Sequence, residues 1–323
     1  MKEIVITESS ANQRLNKFLV RLLPNTTESF LYKMLRKKNI TLNGSKATGK
    51  EILKSSDTVR IYFSDETFEK FKGSPLESTD AENYPVLDKK YIVYEDENVL
   101  IINKPAGMLS QKAKKEDISA CEYLIGYLES KGEVSSESLR MFKPSAINRL
   151  DRNTTGILVC AKNLEAAQRL SAIFKERDIY KEYICIVKGR ITEPLDLKGY
   201  LLKDEKTNKV SISDSPNGGS LIETAYTPVQ FCDKLNATVL KVHLKTGKTH
   251  QIRAHLSHLG HPIGGDKKYG NEEFNRLLKD EYGVKYQLLH AYRLVFPKME
   301  GNLKGLSCRE ITVQPPFKHI YEE

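Results

Sequence analysis

The stretch INRLDRNTTGILVCAK, Ile147–Lys162, decides how this chain is read. Three charges, Arg149, Asp151 and Arg152, crowd around Leu150. A Thr-Thr-Gly turn follows, and then the apolar run Ile157–Ala161. A short apolar run bounded by a turn signal is the pattern of a buried strand. An aspartate with arginines before and after it therefore stands at the mouth of such a strand. A carboxylate there can serve as a nucleophile or a base. It can equally be a structural ion pair on a turn, and charge pattern alone leaves both open.

Working outward, LEAAQRLSAIFKER sets Leu164, Ala167, Leu170, Ile173 and Phe174 on one helical face, with Asn163 as its N-cap. Strands are expected at Ile92–Tyr94, Val99–Asn103, Gly156–Ala161, Glu182–Lys188, Thr224–Phe231, Thr238–Leu244, His290–Phe296 and Ile311–Val313. Further helices are expected around Ser119–Ser130 and from His250, and a polar hairpin near Leu201–Ser213. Strands outnumber helices, which points to an α+β fold. Residues 111–145 and 203–220 read as polar insertions.

The N-terminal part reads as a small unit of its own. NQRLNKFLVRLL and TESFLYKMLRKK are amphipathic helices, the second capped by Thr27. NITLNG carries the Asn43-Gly44 hairpin signal, and DTVRIYF alternates as a strand. Arg36, Lys37 and Lys38 cluster at the end of the second helix, where they complement its dipole. This order of elements resembles the S4 RNA-binding domain. The resemblance implies RNA contacts from Arg14, Lys33, Arg36, Lys37 and Lys38. The expected organisation is an S4-like domain over residues 1–72, a Gly/Pro/Ser-containing linker over 73–88 and a larger domain over 89–323.

At 323 residues and 39% hydrophobic content, the chain can bury a sizeable core in its larger domain. No apolar run is long enough to span a bilayer, and the N-terminus has no signal-peptide pattern, so a cytoplasmic protein is expected. Five dispersed cysteines without a CxxC pair suggest neither disulfides nor a thiolate zinc site. The net charge of +9 favours a polyanionic partner. Residues 1–72 hold fourteen Lys/Arg against eight Asp/Glu, so most of the excess lies there.

The second chemistry-bearing stretch is LKTGKTHQIRAHLSHLGHPIGGDKKYG, Leu244–Gly270. It holds His250, His255, His258 and His261. A zinc site needs a compact, closed ligand set. Here Asp266 lies beyond Gly264-Gly265 and no HExxH is present, which argues against a metal. The alternative is a helix start rich in hydrogen-bonding groups beside an anion. Arg253, on that helix, could meet a buried carboxylate in a bidentate pair.

Together and in this order, these motifs resemble RluA-type pseudouridine synthases. NRLDRNTTGILVCAK is similar to that family's H-R-L-D signature, and NKPAGMLSQ at 103–111 to its K-P-x-G motif. KEYICIVKG at 181–189, the TGKTHQIRAH block and LHAYRLVFP at 289–297 complete the match. Asn148 and Gln111 stand where the family usually has histidine.

The resemblance implies a catalytic domain on a mixed, largely antiparallel sheet flanked by helices, which isomerises uridine in RNA to pseudouridine. It makes Asp151 the essential carboxylate, attacking C1′ or abstracting a sugar proton. Tyr183 is then the tyrosine that packs on the uracil and helps remove the C5 proton, and Arg253 the cation paired with the aspartate. Ile252 packs beside the base, and Arg149, Arg152 and His250 face the RNA. Neither cofactor nor metal is required. The implied partner is RNA, either 23S ribosomal RNA or a ribosomal precursor, for a monomer with no membrane association. Two other classes stand beside this reading. One is a non-catalytic RNA-binding assembly factor on the same scaffold, and the other is a metal-dependent hydrolase using the histidines.

Overall fold

The computed structural model describes residues 1–7, 10–72, 84–204, 207 and 209–322. Most of the linker expected over residues 73–88 therefore lies outside the described residues. The chain divides into two compact units. One comprises Met1–Leu87, Glu122–Ser145 and Ala161–Arg169; the other comprises Asp88–Cys121, Ala146–Cys160 and Leu170–Glu323.

The first unit starts with strand β1 (Lys2–Val5), helices α1 (Leu15–Leu22) and α2 (Glu28–Arg36), and strands β2 (Ile40–Leu42), β3 (Ser45–Lys46) and β4 (Thr58–Ile61). The strands form a sheet in the order β1-β4-β2-β3. Leu15, Phe18 and Leu19 of α1 meet Leu31, Met34 and Leu35 of α2 and Val59 and Ile61 of β4 in one core. That spacing is one face of each helix and alternate residues of the strand. Thr27 accepts a hydrogen bond from Phe30 N–H and caps α2. Asn43 (φ 51°) and Gly44 (φ 74°) are both left-handed, as a two-residue turn between β2 and β3 requires.

Helix α3 (Asp65–Lys72) was not expected from the pattern. Phe68 is buried and Phe71 packs edge-on against Phe30 and Phe63. Two aromatics on a short, charged helix leave too narrow a stripe to register as a period.

The chain continues with β5 (Ile92–Glu95), β6 (Val99–Lys104), α4 (Ala120–Ser130), α5 (Ser136–Met141), β7 (Ser145–Ala146), β8 (Thr155–Ala161), α6 (Leu164–Glu176) and β9 (Tyr180–Lys188). Then come β10 (Leu195–Asp204), β11 (Lys209–Ser213), β12 (Ser220–Cys232), β13 (Ala237–Leu244), α7 (Gln251–His258), α8 (Glu272–Tyr282), β14 (Leu289–Val295) and β15 (Glu310–Thr312). The large sheet runs β11-β10-β12-β13-β9-β14-β8-β6-β5, with β15 beside β14 and β7 beside β8. It is mixed: β14 and β8 pair in parallel, whereas β9 pairs antiparallel with β13 and β14. The segments read as polar insertions hold the expected helix α4 and hairpin strand β11, and also α5, which was not expected.

Alternation along β9 explains its long apolar run. Ile184 and Ile186 face one core, with Phe274 and Leu278 of α8. Cys185 and Val187 face the other, with Ile252 and Leu256 of α7, and Tyr183 packs against that side. A central strand covered on both faces reads as continuous hydrophobicity. Tyr183 is thereby placed on the α7 side of the sheet.

The parallel pairing of β8 with β14 puts Gly156 opposite Ala291. A Cβ on Gly156 would lie 2.3 Å from the Ala291 carbonyl oxygen, and its φ of +108° disfavours any other residue. Gly156→Ala is expected to lower stability by about 2–4 kcal/mol, through steric overlap and backbone strain. Urea denaturation measures this; an unchanged midpoint would mean the β8–β14 contact is looser than described.

Candidate active site

Asp151 lies at the mouth of β8, as its sequence context suggested, and its loop is fastened from below. The Lys104 side chain is fully buried, and its Nζ donates to the carbonyls of Pro105 (3.0 Å), Met108 (2.8 Å) and Arg152 (3.0 Å). Burial lowers the Lys104 pKa to about 7, with the Asp151 charge opposing that shift. Three accepting carbonyls use all three N–H bonds of the ammonium form. Ser110 Oγ donates to the Leu150 carbonyl (2.9 Å) and accepts from Leu150 N–H (3.0 Å). Asp151 is thus flanked by two residues whose backbones are tied to the β6 end of the sheet.

The other half of the site comes from α7. Gln251 Oε1 accepts from Lys248 N–H and Thr246 O–H, and its Nε2 donates to Thr224 Oγ1, which fixes the start of the helix. Two residues on, Arg253 Nη1 donates to Asp151 Oδ2 at 2.8 Å. Its Nε and Nη2 donate to Asp266 Oδ2 and Oδ1 at 2.7 and 2.9 Å. The bidentate carboxylate is therefore Asp266, and Asp151 receives the remaining edge of the guanidinium group.

Asp266 is 1% exposed and also accepts from the backbone N–H groups of Lys268 and Tyr269. Burial alone would raise its pKa; the Arg253 hydrogen bond and charge, with the two N–H donors, outweigh burial and lower it. Burial likewise opposes the Arg253 charge, and Asp266 followed by Asp151 overcomes it and raises the Arg253 pKa. The turn that delivers Asp266 needs Gly270, where a Cβ would sit 2.0 Å from the Asp266 carbonyl oxygen.

Asp151, Tyr183, Arg253, Ile252, His250, Arg149 and Arg152 all line one cleft of about 980 Å³. The Asp151 side chain is 26% exposed, and among the described residues no hydrogen-bond donor reaches its Oδ1. Tyr183 is half-buried; burial and then the Asp151 charge raise its pKa, so it is a neutral phenol at neutral pH. Ile252 is buried against the sheet, while Arg149 and Arg152 are exposed. In the first unit Arg14, Lys33, Arg36, Lys37 and Lys38 are all exposed.

The histidines disperse. His255 Nδ1 lies 3.0 Å from Tyr226 Oη, and His261 Nδ1 lies 2.9 Å from the Lys188 carbonyl. His258 is exposed. His290 sits between Thr155 Oγ1 (2.7 Å) and the Val313 carbonyl (2.9 Å), and burial lowers its pKa to about 4. Among the described residues no group of three or more His, Cys, Asp or Glu is placed to hold a metal ion.

Asn148 and Gln111, the departures from the resembled pattern, have backbone roles. Asn148 Nδ2 donates to the Ile157 carbonyl and its Oδ1 accepts from Val159 N–H, so the amide pairs with β8 as another peptide would. Gln111 Nε2 donates to the Ala146 carbonyl. Sequence reasoning missed Lys104, Ser110 and the bidentate role of Asp266. The K-P-x-G and G-G-D spacings were the available signals.

A family model described as RNA pseudouridylate synthase matches residues 98–258, and an S4 domain model matches residues 13–59. The chain belongs to the RNA pseudouridylate synthase family and is an RNA pseudouridine synthase, an isomerase. It is 34% identical over 324 residues to the ribosomal large subunit pseudouridine synthase C of Rickettsia conorii, covering 96% of this chain and 100% of the relative. It is 32% identical to an uncharacterized RNA pseudouridine synthase of Mycoplasma genitalium, over 92% of this chain and 90% of the relative. Human RNA pseudouridylate synthase domain containing 1 has the same fold, with a TM-score of 0.54 at 24% identity over 70% of this chain and 83% of that one. Among the described residues no helix is long and apolar enough to cross a membrane.

Proposed function

We propose that this enzyme isomerises specific uridines of large-subunit ribosomal RNA, with Asp151 as the reacting carboxylate on a nucleotide flipped into the cleft. One observation carries the reading: Asp151 stands in a cleft of about 980 Å³ with one oxygen held by Arg253 and the other without a donor among the described residues. That volume lies at the upper end of small-ligand sites, which suits a nucleotide with its flanking backbone. Flipping is required because C1′ and the base are inaccessible inside a stacked helix. The ribosomal target is supported by the names of relatives such as the Rickettsia conorii protein.

The reaction breaks the bond from N1 to C1′, turns the uracil, and joins C5 to C1′. The C5 proton leaves and N1, freed from C1′, takes one up, so the atoms balance. Attack of Asp151 on C1′ and removal of a sugar proton by Asp151 both need an anionic carboxylate in a partly desolvated site. Arg253 supplies the compensating charge, and Asp266 holds Arg253 so that it cannot swing away. The neutral Tyr183 phenol suits packing on the uracil. It can take the C5 proton only by passing on its own.

The test is to map carbodiimide-dependent reverse-transcription stops in cells with and without the gene. Discrete stops in large-subunit RNA should vanish without it; loss of stops in transfer RNA alone would refute the ribosomal target.

Phosphate contacts make affinity fall with salt, by a slope of roughly 0.7–0.9 per contact. Replacing Lys33, Arg36, Lys37 and Lys38 together by alanine should lower that slope by about three units in an anisotropy titration with a large-subunit RNA fragment. An unchanged slope would show that these exposed cations do not touch RNA.

A further inference from the structure

A second chain of polar groups ends on the Asp151 carboxylate. Val210 N–H on β11 donates to Tyr269 Oη at 3.0 Å. Tyr269 Oη lies 3.0 Å from His250 Nδ1. The other ring nitrogen of His250, Nε2, lies 3.9 Å from Asp151 Oδ2, the oxygen that Arg253 already holds. Tyr269 is itself fixed on three sides. Its N–H donates to Asp266 Oδ1, its ring lies under the Arg253 guanidinium at 5.2 Å, and its ring meets that of His250 edge-on at 5.5 Å. His250 precedes α7 in the left-handed region, with φ 54° and ψ 17°. A non-glycine residue keeps that conformation only where its surroundings fix it.

These contacts select one histidine tautomer. Tyr269 already accepts a hydrogen bond from Val210, so its own proton finds an acceptor in His250 Nδ1. His250 then carries its proton on Nε2, aimed at a carboxylate oxygen. The opposite tautomer would turn the Nε2 lone pair toward the carboxylate and leave the Tyr269 proton without that acceptor. Which nitrogen of a histidine bears the proton is commonly set by the partner of the other. At 3.9 Å the Nε2–H is too far for a direct hydrogen bond, but such contacts often tighten when substrate enters.

We propose that Tyr269 and His250 are a positioning pair for Asp151: Tyr269 locks His250 with its proton on Nε2, and that N–H joins Arg253 in anchoring Oδ2, leaving Oδ1 as the reacting oxygen. The inference rests on the reading of Asp151 as the reacting carboxylate. It separates His250 from the RNA-facing role that the resemblance implied. It also ties the β10–β11 hairpin, through Val210, to the reacting group. The charged and titratable groups acting on His250 are Asp151, Arg253, Lys268 and Asp266, with Tyr269 in contact; burial is the largest influence and favours the neutral ring.

The tautomer is read directly by long-range proton–nitrogen correlation spectra of the full chain labelled with ¹⁵N-histidine, the His250 signals being those lost in His250→Gln. The expected result is a proton on Nε2 in the native protein and a mixture of tautomers in Tyr269→Phe. A proton on Nδ1, or no change in Tyr269→Phe, overturns the lock, whatever the activity. Single-turnover rates on RNA carrying [5-³H]uridine give the second arm. Tyr269→Phe and His250→Ala should each slow the reaction by about tenfold with RNA affinity unchanged. His250→Gln should recover most of the rate, because its amide N–H falls where Nε2–H was. If both variants match the native rate while Asp151→Asn is inactive, the positioning pair is refuted and the reading of Asp151 stands. If His250→Ala weakens RNA binding and leaves the rate untouched, His250 is an RNA contact and the pair is likewise refuted. Activity in Asp151→Asn would instead remove the reading on which the pair rests.

Discussion

Asp151→Asn is expected to leave a folded protein that binds RNA and forms no pseudouridine. The asparagine is the same shape, and its amide oxygen can still accept from Arg253 Nη1, which lies 2.8 Å from Oδ2 in the native site. On the proposed reading it loses the negative charge, and with it both the nucleophile and the base. Loss of a reacting side chain typically costs at least about 10⁴-fold in rate. RNA affinity is carried mainly by phosphate contacts, so it should hold within about a factor of two. Digestion of the treated RNA to nucleosides and chromatography measures the product. Pseudouridine formation within tenfold of native would mean that another group performs the chemistry.

The second large effect is on stability. Arg253→Met removes the cation between two carboxylates, of which Asp266 has a fully buried side chain and Asp151 a side chain 26% exposed. Breaking a buried pair from one side leaves an uncompensated charge and costs about 3–5 kcal/mol. Asp266 must then ionise without its partner or take up a proton, and both are unfavourable near neutral pH. Denaturant unfolding should show this loss. The double variant Arg253→Met with Asp266→Asn should recover part of it, because the buried charge is gone. Activity should not return in the double variant, since Asp151 still lacks its anchor. A single variant as stable as the native protein would contradict the buried three-part pair.

Much of the lining of this cleft was legible because short, ordered motifs supply it. The R-L-D turn before an apolar strand gave Asp151, and the block around His250 gave Arg253; the fold brings them to 2.8 Å across 102 residues of sequence. Asp266 was harder, because a carboxylate after two glycines has no period and no neighbour in sequence that marks it as buried. Lys104 was harder still. Lysine is a surface residue by default, and only the three carbonyls around its ammonium group account for its burial. In the fold, helices with a wide apolar face were readable. Helix α8 was not expected, although Phe274, Leu277, Leu278 and Tyr282 recur at helical spacing between the Asn271 N-cap and Gly283 at φ 66°.

The most direct test is tritium release from unmodified large-subunit ribosomal RNA transcribed with [5-³H]uridine. Joining C5 to C1′ frees the label, so one tritium leaves for each pseudouridine formed. The native enzyme is predicted to release tritium to a plateau equal to a small whole number of sites per RNA, and Asp151→Asn to release none while still binding that RNA. No release by the native enzyme, or equal release by both proteins, would contradict the account.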